Sequence, residues 1–137
     1  MIISASRRTD IPAYYADWFL NRIKDGKIQV KNPMNTHQIS EINLSPDVVD
    51  CIVFWTKNPL GIINLLDELK CYNYYFQFTL NGYGRDIELN LPDRDTLIKL
   101  FKDLSGKIGK NKVIWRYDLY LLILNIQRNI IYRTLME

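Results

Sequence analysis

The sequence predicts an α/β fold of four βα units with parallel strands, carrying one inserted β-hairpin. Two observations lead there. Four short runs, residues 2–6, 51–55, 74–80 and 112–117, are rich in β-branched and aromatic residues and end in polar or turn residues. Segments with helical spacing separate them, and a strand–helix alternation calls for right-handed crossovers between parallel strands.

Taken in order, the first strand leads into a helix on which Tyr15, Trp18, Phe19, Arg22 and Ile23 recur at helical spacing, with Gly26 as its stop. The segments 27–32 and 37–44 both look extended, and Asn32-Pro33-Met34-Asn35 between them has turn chemistry. They form the inserted hairpin. After the second core strand, Pro59 opens a second helix with an apolar stripe of Ile62, Ile63, Leu65, Leu66 and Leu69. The third strand is followed by a loop over 81–92 that contains Gly82 and Gly84. A third helix opens at Pro92-Asp93 and runs through Leu97, Ile98, Phe101, Leu104 and Ile108, with Gly109 after it. The fourth strand completes the set.

Four parallel strands leave two edges, and the first and fourth strands are both apolar. Exposed apolar edges invite pairing with another chain. Four βα units are also half of a TIM-type barrel. The chain is therefore expected to be a fragment, or to cover its edges with its tail or a second copy. Residues 1–118 form the α/β partial-barrel domain, with the hairpin insertion at about 27–45, and residues 119–137 form an apolar C-terminal tail.

Composition narrows the function classes. With 137 residues the chain makes one domain with a sizeable core, and no disulfide or metal staple is needed. The 18 basic and 15 acidic side chains leave a net charge of +3, too small to argue for nucleic acid or an anionic membrane. Cys51 and Cys71 lie far apart without metal-ligand spacing, which suits reduced structural thiols in the cytosol. Arg7 and Arg8 interrupt the N-terminus before any signal-peptide core forms. The apolar runs fall short of the roughly 20 residues of a membrane span. A cytoplasmic location is the simplest expectation.

In parallel α/β folds, ligands bind beyond the carboxyl ends of the strands. The first strand runs into Ser4, Ser6, Arg7, Arg8, Thr9 and Asp10, and the second into Thr56, Lys57 and Asn58. The third carries Gln77 and Thr79 on one face and Asn81 after its end, and the fourth ends in Arg116, Tyr117 and Asp118. Every strand thus delivers polar groups to the same end, and each group costs free energy to desolvate without a partner. We take Ser6, Arg7, Arg8, Asp10, Thr56, Lys57, Asn58, Gln77, Thr79, Asn81, Arg116 and Asp118 as the candidate ligand-binding rim.

Plainer roles stand beside these. Asp10 is also placed to cap the helix beginning near Pro12. Lys57 also suits a solvated loop charge, and Arg116 with Asp118 also suits a self-satisfied ion pair. The adjacent guanidiniums of Arg7 and Arg8 repel unless an anion lies between them, which favours anion binding. His37, the single histidine, lies in the hairpin and supports no catalytic triad. The run Asn81-Gly82-Tyr83-Gly84 is neither a Walker loop nor a dinucleotide fingerprint.

The runs Ile3-Ser4-Ala5-Ser6-Arg7-Arg8-Thr9-Asp10-Ile11-Pro12, Val53-Phe54-Trp55-Thr56-Lys57-Asn58-Pro59, Tyr75-Phe76-Gln77-Phe78-Thr79-Leu80-Asn81-Gly82-Tyr83-Gly84 and Val113-Ile114-Trp115-Arg116-Tyr117-Asp118 together resemble one family. It is the bacterial domain-of-unknown-function family numbered eighteen forty-eight, and the resemblance covers residues 1 to 118. The resemblance implies a longer full-length protein, similar to radical-SAM enzymes, with a C-terminal cysteine cluster for an iron–sulfur centre and use of S-adenosylmethionine. Here Leu119 follows Asp118 where the family pattern continues with proline, and no cysteine follows Cys71. The chain is accordingly expected to be a truncated or frame-shifted N-terminal half with a tail of different origin, and to hold no cofactor itself.

Three readings follow. The first is an enzyme-derived half barrel binding an anionic small molecule or cofactor at its rim. The second is a module gripping the phosphates of a nucleotide or nucleic acid, which the small net charge disfavours. The third is a non-catalytic remnant forming a homo-oligomer through its sheet edges or tail.

Overall fold

The computed structural model describes residues 1–6, 8–32, 34–35, 37–83 and 87–118. The tail at 119–137 lies outside the described residues. Strand β1 (Ile2–Ala5) leads into helices α1 (Ile11–Tyr14) and α2 (Ala16–Lys24), and β2 (Lys27–Lys31) and β3 (Ile39–Asn43) form the inserted hairpin. Strand β4 (Cys51–Thr56) is followed by 3-10 turns at Pro59–Gly61 and Leu66–Leu69. Strand β5 (Tyr74–Thr79), helix α3 (Arg94–Ile108), a 3-10 turn at Lys110–Lys112 and β6 (Val113–Arg116) complete the described chain.

The expected strands and hairpin are all present. The parallel sheet has the order β1-β4-β5-β6, the order of the strands in the sequence, and β2-β3 is a separate antiparallel pair. Register sets Phe54 beside Phe76, and the two rings stack with centroids 4.9 Å apart. Phe19 of α2 meets Phe54 edge-on at 5.5 Å, and Phe101 of α3 meets Phe78 edge-on at 5.4 Å. Phe54, Phe76 and Phe78 share one face because side chains alternate along a strand and register partners point the same way. Both α2 and α3 therefore pack on that face. The alternate positions Ser4, Val53, Trp55, Tyr75, Gln77, Thr79, Ile114 and Arg116 point to the other face, away from the helices.

Two helices depart from expectation. The first is broken at Tyr15, whose backbone (φ −134°) caps both α1 and α2. Its core face is Ala16, Phe19, Leu20 and Ile23, while Tyr15 and Trp18 are exposed. The set 16, 19, 20, 23 fits a helical period as well as the set beginning at Tyr15, and only packing on Phe54 chooses between them. The second expected helix is instead two 3-10 turns. Ile63, Leu66 and Leu69 recur every three residues and are all buried, which suits the three-residue period of a 3-10 helix. Gly61 lies against α1, where a Cβ would come within 2.5 Å of the Pro12 carbonyl oxygen.

The hairpin is tied to the body at its base. Leu44 N–H donates to the Gly26 carbonyl at 2.7 Å, and the buried Tyr72 hydroxyl donates to the Leu44 carbonyl at 2.7 Å. Gly26 adopts φ +70°, the left-handed turn that releases α2 into β2. Among the described residues, no helix is long and apolar enough to cross a membrane. The outer edges of β1 and β6 have no ladder partner among them either, and Ile2, Ile114 and Trp115 are exposed there.

Candidate functional site

The residue after β1 sets up the first side of the site. Ser6 has φ +87°, a backbone conformation that costs a non-glycine residue of order 1–3 kcal/mol. Its hydroxyl accepts the Ile11 N–H at 3.1 Å, closing a tight turn from the strand into α1. Asp10 caps that helix by accepting the Ala13 N–H at 3.0 Å. The same carboxylate accepts the Thr56 hydroxyl at 2.8 and 2.9 Å and the Lys57 N–H at 2.8 Å. Asp10 is thus the clamp that joins the loop after β1 to the loop after β4.

The loop after β4 continues the chain of bonds. Buried Thr56 accepts the Asn58 N–H at 3.0 Å, and Asn58 accepts the Leu60 N–H at 3.2 Å to cap the first 3-10 turn. Thr56 and Asn58 therefore spend their polar atoms on the scaffold. Lys57 points its amine to Glu88 Oε1 at 2.6 Å. The Asn81 amide also donates to Glu88 Oε1, at 3.2 Å, and its oxygen accepts the Asp118 N–H at 3.1 Å. A hydrogen-bonded chain thus runs from the end of β4 to the end of β6. Arg116 pairs with Asp118 at 2.8 Å and lies over the Trp55 ring at 4.5 Å. Such stacking on tryptophan adds to the attraction and fixes the guanidinium plane.

These groups surround a cavity of about 690 Å³ lined by Ser4, Ser6, Asp10, Trp55, Thr56, Lys57, Thr79 and Arg116. All four strand ends contribute. The hydroxyls of Ser4 and Thr79 have no hydrogen-bond partner among the described residues, and Thr79 is buried. Trp55 Nε1 is likewise buried and unpartnered among them. A buried donor without a partner is rare in folded proteins, so the Trp55 indole N–H marks a group left for something else, whereas Ser4 is exposed and open to water.

Six of the residues proposed from the sequence line this cavity: Ser6, Asp10, Thr56, Lys57, Thr79 and Arg116. Asn58, Asn81 and Asp118 adjoin it through the bonds just described, and Gln77 stands beside Trp55 on the same sheet face. Arg8 is elsewhere. Its guanidinium donates to the Lys31 carbonyl at 2.9 Å and braces the hairpin. Arg7 lies outside the described residues.

Sequence reasoning missed Trp55 and Glu88, and it named Ser4 among the polar groups after the first strand without carrying it into the rim. Ser4 and Trp55 were legible by strand parity, since both share the face of Gln77 and Thr79. Glu88 had no local signal, because only folding of its loop brings it to Lys57.

The described residues contain no group of histidines, cysteines and carboxylates suited to a metal. Cys51 opens β4 and Cys71 precedes β5, so both thiols lie at the opposite end of the sheet from the cavity. Among the described residues the thiols do not fit an iron–sulfur centre at this site.

No curated protein and no solved structure matches the chain. A family model described as a domain of unknown function matches residues 2–137, running past Asp118 through the segment that the sequence set apart as a tail of different origin. With the match extending over nearly the whole chain, the protein belongs to the family DUF1848.

Proposed function

We propose that this chain is an enzyme-derived half barrel whose strand-end cavity binds a small anionic molecule or the anionic part of a cofactor. The observation that carries the reading is the convergence of all four strand ends on one cavity that holds Lys57, Arg116 and unpartnered polar groups. Arg116 offers five N–H donors, and its bond to Asp118 leaves others for a ligand. The barrel relationship draws support from the sequential strand order and from α2 and α3 lying on one face of the sheet. In doubly wound sheets, helices cover both faces. In longer relatives the reading extends to radical-SAM chemistry, with S-adenosylmethionine and a cluster held by residues outside this chain. No step through either is derived from the residues present.

The test is a titration with inorganic phosphate or sulfate, followed by NMR on the Trp55 indole N–H. Saturable movement of that signal is expected. Arg116→Ala should weaken the affinity about tenfold, the factor for a charge-assisted hydrogen bond. A signal that does not saturate, or an affinity indifferent to Arg116→Ala, sinks the reading.

A second reading concerns assembly. The free edges of β1 and β6 and the exposed Ile2, Ile114 and Trp115 favour pairing of β1 in one copy with β6 in another. Light scattering should report a dimer that Ile114→Lys dissociates. A monomer across a wide concentration range removes this reading.

A further inference from the structure

We propose that Glu88 is the specificity-determining residue of the cavity, an internal carboxylate that competes with an anionic ligand for Lys57. The inference deepens the anion-site reading above and rests on it. Lys57 lines the cavity with its side chain 40% exposed, whereas the Glu88 side chain is only 13% exposed. The amine is thus reachable from the cavity, and the carboxylate is tucked behind it.

The two partners are held unequally. Glu88 Oε1 takes both the Lys57 amine, at 2.6 Å, and the Asn81 amide, at 3.2 Å. Asn81 is itself only 5% exposed and anchored to the Asp118 N–H. Glu88 is therefore fixed from behind by the scaffold. Lys57 is a compact ammonium on a flexible four-carbon stem, and it is the member able to turn away.

The contrast with Arg116 gives the device its consequence. Arg116 keeps donors free while bonded to Asp118, so a ligand can add to that pair without breaking it. At Lys57 an arriving anion meets a carboxylate already in close contact, and two negative groups around one amine repel. The ligand class favoured is one whose charge outcompetes a carboxylate, such as a phosphate dianion. Glu88 would then weaken singly charged anions more than a phosphate dianion, whose greater charge competes better for the Lys57 amine.

The experiment uses the full chain and inorganic phosphate, with affinity read from the Trp55 indole signal. Glu88→Gln keeps an oxygen for the Asn81 amide but removes the charge. It should tighten phosphate binding about threefold, the scale of a part-exposed ion pair. Adding Lys57→Ala to Glu88→Gln should erase that gain, and Lys57→Ala alone should weaken phosphate binding, since it removes a cation of the cavity and leaves the Glu88 carboxylate unpaired. Glu88→Asp, one methylene shorter, provides a second variant expected to tighten binding. Unchanged or weaker binding in Glu88→Gln overturns the inference and makes Glu88 a support for Lys57. Failure of the wild-type and Glu88→Gln chains alike to bind phosphate overturns the anion-site reading itself, and this inference with it.

Discussion

Replacing Asp10 by alanine tests whether the clamp between β1 and β4 holds the site together. The substitution removes the cap of α1 and leaves the Ala13 N–H, the Lys57 N–H and the Thr56 hydroxyl without their acceptor. Loss of an N-cap costs about 1 kcal/mol. Each charged hydrogen bond lost to Thr56 or Lys57 costs about 1.5 kcal/mol more. Asp10 is only half-buried, so water recovers part of this, and about 3 kcal/mol of destabilisation is expected. Asp10→Asn keeps one acceptor oxygen and the same shape, and about half that loss is expected. The assay is urea unfolding followed by far-ultraviolet circular dichroism, with the slope compared between variants to show that the same surface is exposed. The indole signal of Trp55 should shift in both variants, since the loop after β4 loses its tether. An Asp10→Ala chain within about 0.5 kcal/mol of wild type, the range of ordinary surface changes, would refute the clamp.

Other perturbations probe the scaffold. Gly61→Ala places a Cβ against the Pro12 carbonyl oxygen, and overpacking there should cost about 2 kcal/mol in the same urea assay. An unaltered midpoint would show that α1 and the 3-10 turn can part freely. Tyr72→Phe removes the bond that anchors the hairpin to the body, and a loss of about 1 kcal/mol is expected near neutral pH. Burial, followed by the charges of Cys71 and Asp47, raises the Tyr72 pKa above its ordinary value near 10. The folded state thus holds the phenolic proton more tightly than the unfolded chain. The stability contributed by Tyr72 is fully present below the ordinary value and lost as pH rises through the raised one. The wild-type chain should lose more stability than Tyr72→Phe on titration from about pH 9 upward, a range set by the ordinary tyrosine value. Equal losses would sink this account.

Much of the fold was legible in the sequence for a simple reason. The four core strands are short apolar runs closed by polar residues, and period and composition are local properties that survive without knowledge of partners. The cap at Asp10 and the stop at Gly109 follow from equally local chemistry. The phase of the first helix was not legible, because residues 15–23 support two apolar stripes and the choice depends on Phe54, more than thirty positions away. The stripe after Pro59 was read as an α-helix since a three-residue spacing serves both helix types. Close passage of Gly61 beneath Pro12 is a tertiary fact.

The site divides in the same way. By itself the sequence determined that polar groups gather at one end of a parallel sheet, because strands of known direction end where their polar residues begin. Tertiary structure alone decided what each group does there. Asp10 and Thr56 became scaffold because folding brings the Asp10 carboxylate to the Thr56 hydroxyl and the Lys57 N–H, while Asn58 is tied by local bonds to its own turn. Arg8 went to the hairpin, Glu88 arrived behind Lys57, and Arg116 settled on Trp55. The Arg116–Asp118 pair could be read from residues two apart on one strand face, whereas the Lys57–Glu88 pair joins residues far apart in the chain and only folding names it.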